Sequence, residues 1–464
     1  MKLLPMVQIG QNELREKEAK YCSHGDTVHY SPVPKFFHGC EGSFLYDRED
    51  QPYLDLQMWY SAVNFGYRNT AIIGALKAQL DQLPQLACQY LHEEKILVAE
   101  KLAKECARAF GMEGRIQFNV GGAQAIEDSM KLVRNSTGKS LFMAFMGGYH
   151  GRTLGASEIT SSYRYRRRFG HFSNRAHFVP FPYCYRCPYG KKLDTCDYYC
   201  VNQVERLFET EYNSFWDSKA NEPEFVAFYI EPVQATGGYI IPPPEYFSRL
   251  QQILNERKIL LVDDEIQMGF FRTGKFWAIE HFGVSPNIVV FGKAMTNGLN
   301  PISGLWAQEA LISPTKFPPG STHSTFASNP LGTTAALATL KWIEQQQYET
   351  KVTQSGVYFL EQLLALQSRH HTIGDVSGLG LALRIEVTKS DRFTPDKALT
   401  QRIFERGLAG GIPSSRGLIG LVLDIGGHYK NVFTLAPSLD ITRDEIDLGI
   451  ELLDYLFTTC EEAS

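Results

Sequence analysis

The chain has 464 residues, 44% of them hydrophobic and 12% aromatic, enough to bury a large core in one big domain with a smaller one beside it. Its formal net charge of -5 is small, and the basic run from Tyr163 to Arg168 is not part of a like-charged tail, so nucleic acid is not an expected partner. Met1 to Met6 is too short for a secretory signal and no run approaches the roughly 18 apolar residues that span a bilayer, so the expected location is the cytoplasm.

In chain order, a polar helix is expected over Gln11 to Lys20, then short strands around Gly42 to Tyr46 and Tyr53 to Leu56. Residues 1–70 read as an N-terminal arm contributing to the smaller domain. From Ala71 to Ile343, helical stretches alternate with buried-strand runs at Ile116 to Val120, Ser140 to Ala144, Phe225 to Ile230, Leu260 to Val262 and Ile288 to Phe291. That alternation predicts an α/β fold, a mostly parallel sheet flanked by helices, as the large domain over 71–343. After Gln345 come a long amphipathic helix, strands near Leu381 to Val387 and Leu421 to Leu423, and a helix from Arg443 to Phe457, predicting a small α+β domain over 344–464.

In an open sheet of this kind ligands sit beyond the carboxyl ends of the strands, so the residues after each run carry the chemistry. Gly121-Gly122-Ala123, opening a helix, can bring backbone N–H groups up to a phosphate, although such glycines also make a plain tight turn. Gly147-Gly148-Tyr149-His150-Gly151-Arg152-Thr153 sets an aromatic ring between glycines, where it can stack on a flat heteroaromatic cofactor or simply be buried. Asp263-Asp264-Glu265 places three acids behind an apolar strand, which suits a protonated pyridine nitrogen, a metal or a helix cap. Gly292-Lys293-Ala294 puts a lysine in apolar surroundings, where desolvation makes its amine nucleophilic toward an aldehyde.

Phosphate cup, stacking ring, pyridinium partner and lysine therefore follow one another, each behind a strand. With these, the string Asp264-Glu265-Ile266-Gln267-Met268-Gly269-Phe270-Phe271-Arg272-Thr273-Gly274 and the distance to Lys293 resemble the class III, or ω-aminotransferase-type, enzymes of pyridoxal 5'-phosphate (PLP) fold type I. The resemblance runs from about Tyr30 to Leu456. It implies that Lys293 holds PLP as a Schiff base, Asp264 pairs with the pyridine nitrogen, Gln267 sits near the ring hydroxyl and Tyr149 stacks on the ring. Gly122 and Ala123 would hold the phosphate, with His150 and Glu231 as further cofactor contacts. His323-Ser324-Thr325-Phe326 is similar to the segment whose threonine reaches the neighbouring subunit's phosphate, so Thr325 implies a homodimer with shared sites. Trp59, Tyr60 and Tyr90 fall at substrate-side positions.

Family aminotransferases commonly carry a glutamate in Glu-Pro-x-Gln-x-Glu-Gly and a late arginine in Arg-Leu-x-Pro-Pro-Leu; here the corresponding residues are Thr236 and Thr434. In those relatives the arginine grips a carboxylate and the glutamate neutralises it when the other substrate is bound. Losing both removes the device for two substrates and leaves no orphaned charge, which fits a lyase or isomerase that returns PLP unchanged. Among family lyases, those acting on amines with a phosphate or phosphonate group come closest. A dianion would need a basic residue, with Arg164, Arg166, Arg167, Arg168 and Arg416 as candidates. The runner-up is an ω-amine or amino acid aminotransferase using a keto acid. A non-catalytic PLP-fold binding protein fits poorly, because Lys293, Asp264 and Gln267 are all present. Cys184-x-x-Cys187 and Cys196-x-x-x-Cys200, in a tyrosine-rich insertion over about 182–201, leave open zinc, an iron–sulfur cluster or plain reduced thiols, the last being the expectation, with no metal at the active site.

Overall fold

The computed structural model describes residues 9–25, 31–32, 34–169, 176–213 and 215–462; Met1 to Met6 and Tyr30 lie outside them. A seven-stranded sheet runs in the order Gly114–Asn119, Ser303–Gln308, Ile288–Phe291, Leu260–Asp264, Phe225–Ile230, Leu141–Phe145, Ala176–Val179. Neighbours from Ile288–Phe291 to Ala176–Val179 pair in parallel, and only Ser303–Gln308 is antiparallel to both its partners. Phe225–Ile230 is buried at all six positions, as a strand covered on both faces must be. Five of the strands thus end at one edge, which brings Gly121, Gly147, Glu231, Asp264 and Lys293 to the same rim.

The helix Gly122–Thr137 lies across Ile288–Phe291 and Ser303–Gln308 on one face, and Glu93–Phe110 covers Gly114–Asn119 on the other. Each ends on a glycine in the left-handed region, Gly138 and Gly111, which caps the last turn without a Cβ penalty.

Pro52–Asp55 pairs in parallel with Gly417–Val422, so the arm and the C-terminal part build one five-stranded sheet. A four-stranded sheet of Ile373–Leu379, Ala382–Val387, Val432–Leu435 and Ile425–Gly426 stands beside it. The helices Tyr348–Arg369, Lys397–Ala409 and Arg443–Glu462 complete this part.

Between the arm and the rim, Met58, Trp59, Tyr60 and Ser61 all have positive φ, from 44° to 63°. Four consecutive side-chain-bearing residues in the left-handed region cost about 1–2 kcal/mol each. The turn is held at its start by Asp55, whose Oδ1 accepts from the N–H groups of Gln57 (2.7 Å) and Met58 (2.9 Å). Local strain of this kind persists where the surroundings over-determine it, and this turn forms a wall of the main cavity.

Candidate active site

A cavity of about 650 Å³ opens at the rim. Lys293 enters it from the residue after Ile288–Phe291 and Gly292, itself at φ 40°. Its Nζ donates to Gln267 Oε1 at 2.5 Å; Gln267 Nε2 donates to the Tyr239 hydroxyl (2.9 Å), which lies 3.4 Å from Ser61 Oγ. The lysine is thus aimed by a chain of neutral groups. Burial pushes its pKa down to about 8, although the negative charges of Asp264, Glu231 and Asp424 pull the other way.

Asp264, 5% exposed, accepts from His150 Nδ1 at 2.8 Å through Oδ2 and from the Ile266 N–H at 3.2 Å through Oδ1. Burial alone would depress the His150 imidazolium, but the hydrogen bond and charge of Asp264, with Glu231 behind it, outweigh burial and leave its pKa raised. Glu231 accepts from the Tyr149 N–H (3.0 Å) and the Ala235 N–H (3.2 Å) and so pins the Tyr149 loop to the sheet edge. Burial lifts its carboxyl to about 7, against the pull of His150.

The three consecutive acids divide, because successive side chains on a strand point to opposite faces. The strand continues through Asp264, two residues beyond the expected run, as Asp263 and Asp264 stay in register with Val289 and Val290. Only Asp264 of the three lines the cavity. Burial and the Glu265 charge lift the Asp263 carboxyl; burial lifts Glu265 to about 8 while its Oε1 accepts from the Ile279 N–H at 2.8 Å.

Gly122, Ala123, Tyr149, Trp59 and Tyr60 line the same cavity, Trp59 being 53% and Tyr60 37% exposed at its wall. A Cβ on Gly151, at φ 124°, would stand 2.6 Å from Ala123 Cβ, so glycine is required there; one on Gly122 would stand 2.7 Å from Ile266 Cδ1, which would have to move. Thr325 is exposed on a turn and does not reach this chain's own cavity. Tyr90 is 58% exposed and also lies outside it. Arg416 sits exposed between Ile412–Ser414 and Gly417–Val422, with Nη2 3.8 Å from Asp444 Oδ2. Arg164, Arg167 and Arg168 are exposed, Arg166 packs 5.1 Å over the Phe178 ring, and none of the four lines the cavity.

The arginine that does line it is Arg152, two residues past His150 in the glycine-rich string, with its guanidinium 4.3 Å from the Tyr165 ring and 5.8 Å from the Tyr149 ring. Thr236 and Thr434 meet around Gly426, where an added Cβ would lie 3.0 Å from Thr434 Cγ2 and 3.7 Å from the Thr236 carbonyl. Thr434 Oγ1 donates to Asp424 Oδ2 at 2.6 Å. Thr434, expected from the resemblance to correspond to the late arginine, is a hydroxyl tied to an acid. Asp424 directly follows the Leu421 to Leu423 run, the same signal that marked Lys293 and Asp264.

The class-III aminotransferase family matches residues 27–456. The chain belongs to that family. It is 31% identical to the leucine/methionine racemase of Thermococcus litoralis over 97% of its own length and 96% of the relative's. With the alanine/serine racemase of Pyrococcus horikoshii the identity is 29%, covering 95% and 89%. A crystal structure of a Bacillus anthracis aminotransferase superposes with a TM-score of 0.85 at 27% identity, covering 97% of this chain and 98% of the other. The fold is that of PLP fold type I, and the chain is a PLP-dependent enzyme of this family. No helix among the described residues is long and apolar enough to cross a membrane.

The residues present fit the cofactor. A buried amine with no carboxylate hydrogen-bonded to it, a buried acid facing the cavity and a helix start opened by glycine are the three contacts that the aldehyde, pyridine nitrogen and phosphate need. In the PLP-free enzyme, capture of the cofactor by Lys293 is expected to quicken with pH and level off just above 8, because the neutral amine dominates there. Recombination rates followed by absorbance, corrected for the cofactor's own titration, test this; a rate still climbing toward 10, the range of an ordinary lysine, would refute the depressed value.

Proposed function

We propose that the enzyme eliminates ammonia from a small hydroxylated amine bearing a phosphonate or phosphate group, as an (R)-1-hydroxy-2-aminoethylphosphonate ammonia-lyase does, without a keto-acid acceptor. The observation carrying this reading is the pair Thr236 and Thr434, with Thr434 hydrogen-bonded to Asp424. With a hydroxyl tied to an acid at the position that corresponds to the family's late arginine, that arginine's grip on a keto-acid carboxylate is lost. Within the cavity lining, Arg152 offers a planar fork suited to a dianionic group.

Bound PLP supplies the electron sink for the pair left when a proton leaves the carbon next to the amine. Lys293, held by Gln267, takes that proton. Asp264, oriented by His150, fixes the charge of the ring nitrogen. Trp59 and Tyr60 narrow the cavity against water. The hydroxyl on the adjacent carbon leaves with the electron pair, and hydrolysis of the resulting enamine gives an aldehyde and ammonia.

Amino acid racemisation is the second reading, favoured by the names of the two archaeal relatives. It calls for proton exchange on both faces of the reacting carbon. The acids and the histidine of the cavity lining, Glu231, Asp264 and His150, form one cluster joined by the His150–Asp264 hydrogen bond, with Lys293 as the one lysine among the described residues of the lining, which suits single-base elimination. We also propose a homodimer in which the exposed Thr325 completes the partner subunit's phosphate site.

Incubation with a hydroxylated amino-phosphonate and no keto acid is expected to release aldehyde and ammonia in equal amounts. Amino transfer that starts only when pyruvate or 2-oxoglutarate is added would overturn the lyase reading in favour of an aminotransferase. Inversion of an amino acid's stereocentre without ammonia release would instead establish the racemase.

A further inference from the structure

Cys184, Cys187, Cys196 and Cys200 all line one small cavity of about 20 Å³, remote in the chain from every residue placed at the active site. That volume is close to the space of a single water or ion. The eight-residue gap between the two pairs is folded back by successive turns: the Gly190 N–H donates to the Cys187 carbonyl, Thr195 N–H to Lys192, and Tyr199 N–H to Cys196, each at 2.9–3.1 Å. A short loop therefore brings four cysteines to the wall of one cavity, although they are distributed as two pairs along it.

We propose that these four cysteines bind a structural zinc ion. Among the described residues no three donors stand as a ligand shell, so binding requires the four cysteines to draw closer together. Apart from the thiols, tyrosine rings, prolines and a leucine dominate the wall, a poor setting for a lone water, which needs two to four polar partners. Lys191 stands in the same lining, with Nζ 5.0 Å over the Tyr199 ring, and offsets part of the double negative charge that four thiolates around a divalent cation leave. The four thiols surrender their protons to solvent on binding, and no oxidant or reductant is involved.

The ion would have a mechanical consequence. The segment between the first two cysteines carries Arg186, which pairs with Glu386, while Tyr183 just before them donates to the same carboxylate. Asn431, three residues before Thr434, donates to Glu386 at 3.2 Å. Closing the cysteine loop fixes this joint between the insertion and the strand that carries Thr434.

The test uses the purified, tag-free holoenzyme from zinc-supplemented cells, analysed for metal by mass spectrometry. The expected result is about one zinc per chain, released in step with titration of the thiols by a mercurial and lost in the Cys184→Ser/Cys196→Ser double variant. The wild-type measurements stand even if the variant fails to fold. Zinc well below stoichiometry with the thiols freely titratable, iron with its visible absorption in place of zinc, or disulfides among the four cysteines would each overturn the proposal.

Discussion

Replacing Lys293 with alanine is expected to lower turnover by roughly 10⁴-fold or more, because the variant loses both the amine that holds PLP covalently and the base that moves the substrate proton. The visible band of lysine-bound cofactor should disappear, while PLP itself can still be held through Asp264 and the helix that starts at Gly122. The two losses separate experimentally. Absorbance of the resting enzyme reports the covalent link, and single-turnover proton exchange at the substrate carbon reports the base. If the band persists unchanged, the lysine assignment is wrong. If the band is lost but proton exchange survives, another group takes the proton. The environment argues against such a substitute, since Lys293 is the only lysine among the described residues of the cavity lining and burial lowers its pKa to about 8, so that a substantial fraction is neutral near that pH.

The rim of the sheet was legible because apolar runs and chemistry-bearing residues alternate along the chain. Phe225–Ile230 and Ile288–Phe291 end where their hydrophobic runs end, so the residues behind them were readable as site residues. Leu260–Asp264 extends further because pairing with Ile288–Phe291, a long-range contact, keeps two acids in register. Local hydropathy breaks at the first charge and cannot register that support.

Arg152 stands in the same glycine-rich string as Tyr149, whereas the basic run at Arg164 to Arg168 is the denser cluster of cations in the sequence. Density signals a solvated surface more often than a site, and three of those four arginines are exposed. Tyr239, which locks Gln267, follows no catalytic string and comes to the site only through the fold. The left-handed turn over Met58 to Ser61 is likewise invisible in sequence, since none of its residues is glycine. The small α+β part was readable in outline only: its five-stranded sheet joins strands more than 350 residues apart, as Tyr53 pairs with Gly420.

Arg152→Leu is expected to raise KM for a phosphonate- or phosphate-bearing amine about 10²-fold, the scale of losing a charge-assisted, forked contact to a dianion. The rise in kcat/KM barrier should be confined to anionic substrates, leaving a neutral amine of similar size nearly unaffected. Arg152→Lys should fall between, because it keeps the charge but loses the planar fork. The comparison matters because Arg152 also packs against Tyr165 and Tyr149, so leucine removes support for the stacking ring along with the charge. A purely structural role would depress kcat for anionic and neutral amines alike, and equal losses on the two substrates would defeat the assignment. A KM effect restricted to the anion, with the cofactor absorbance unchanged, would place the anion next to Arg152.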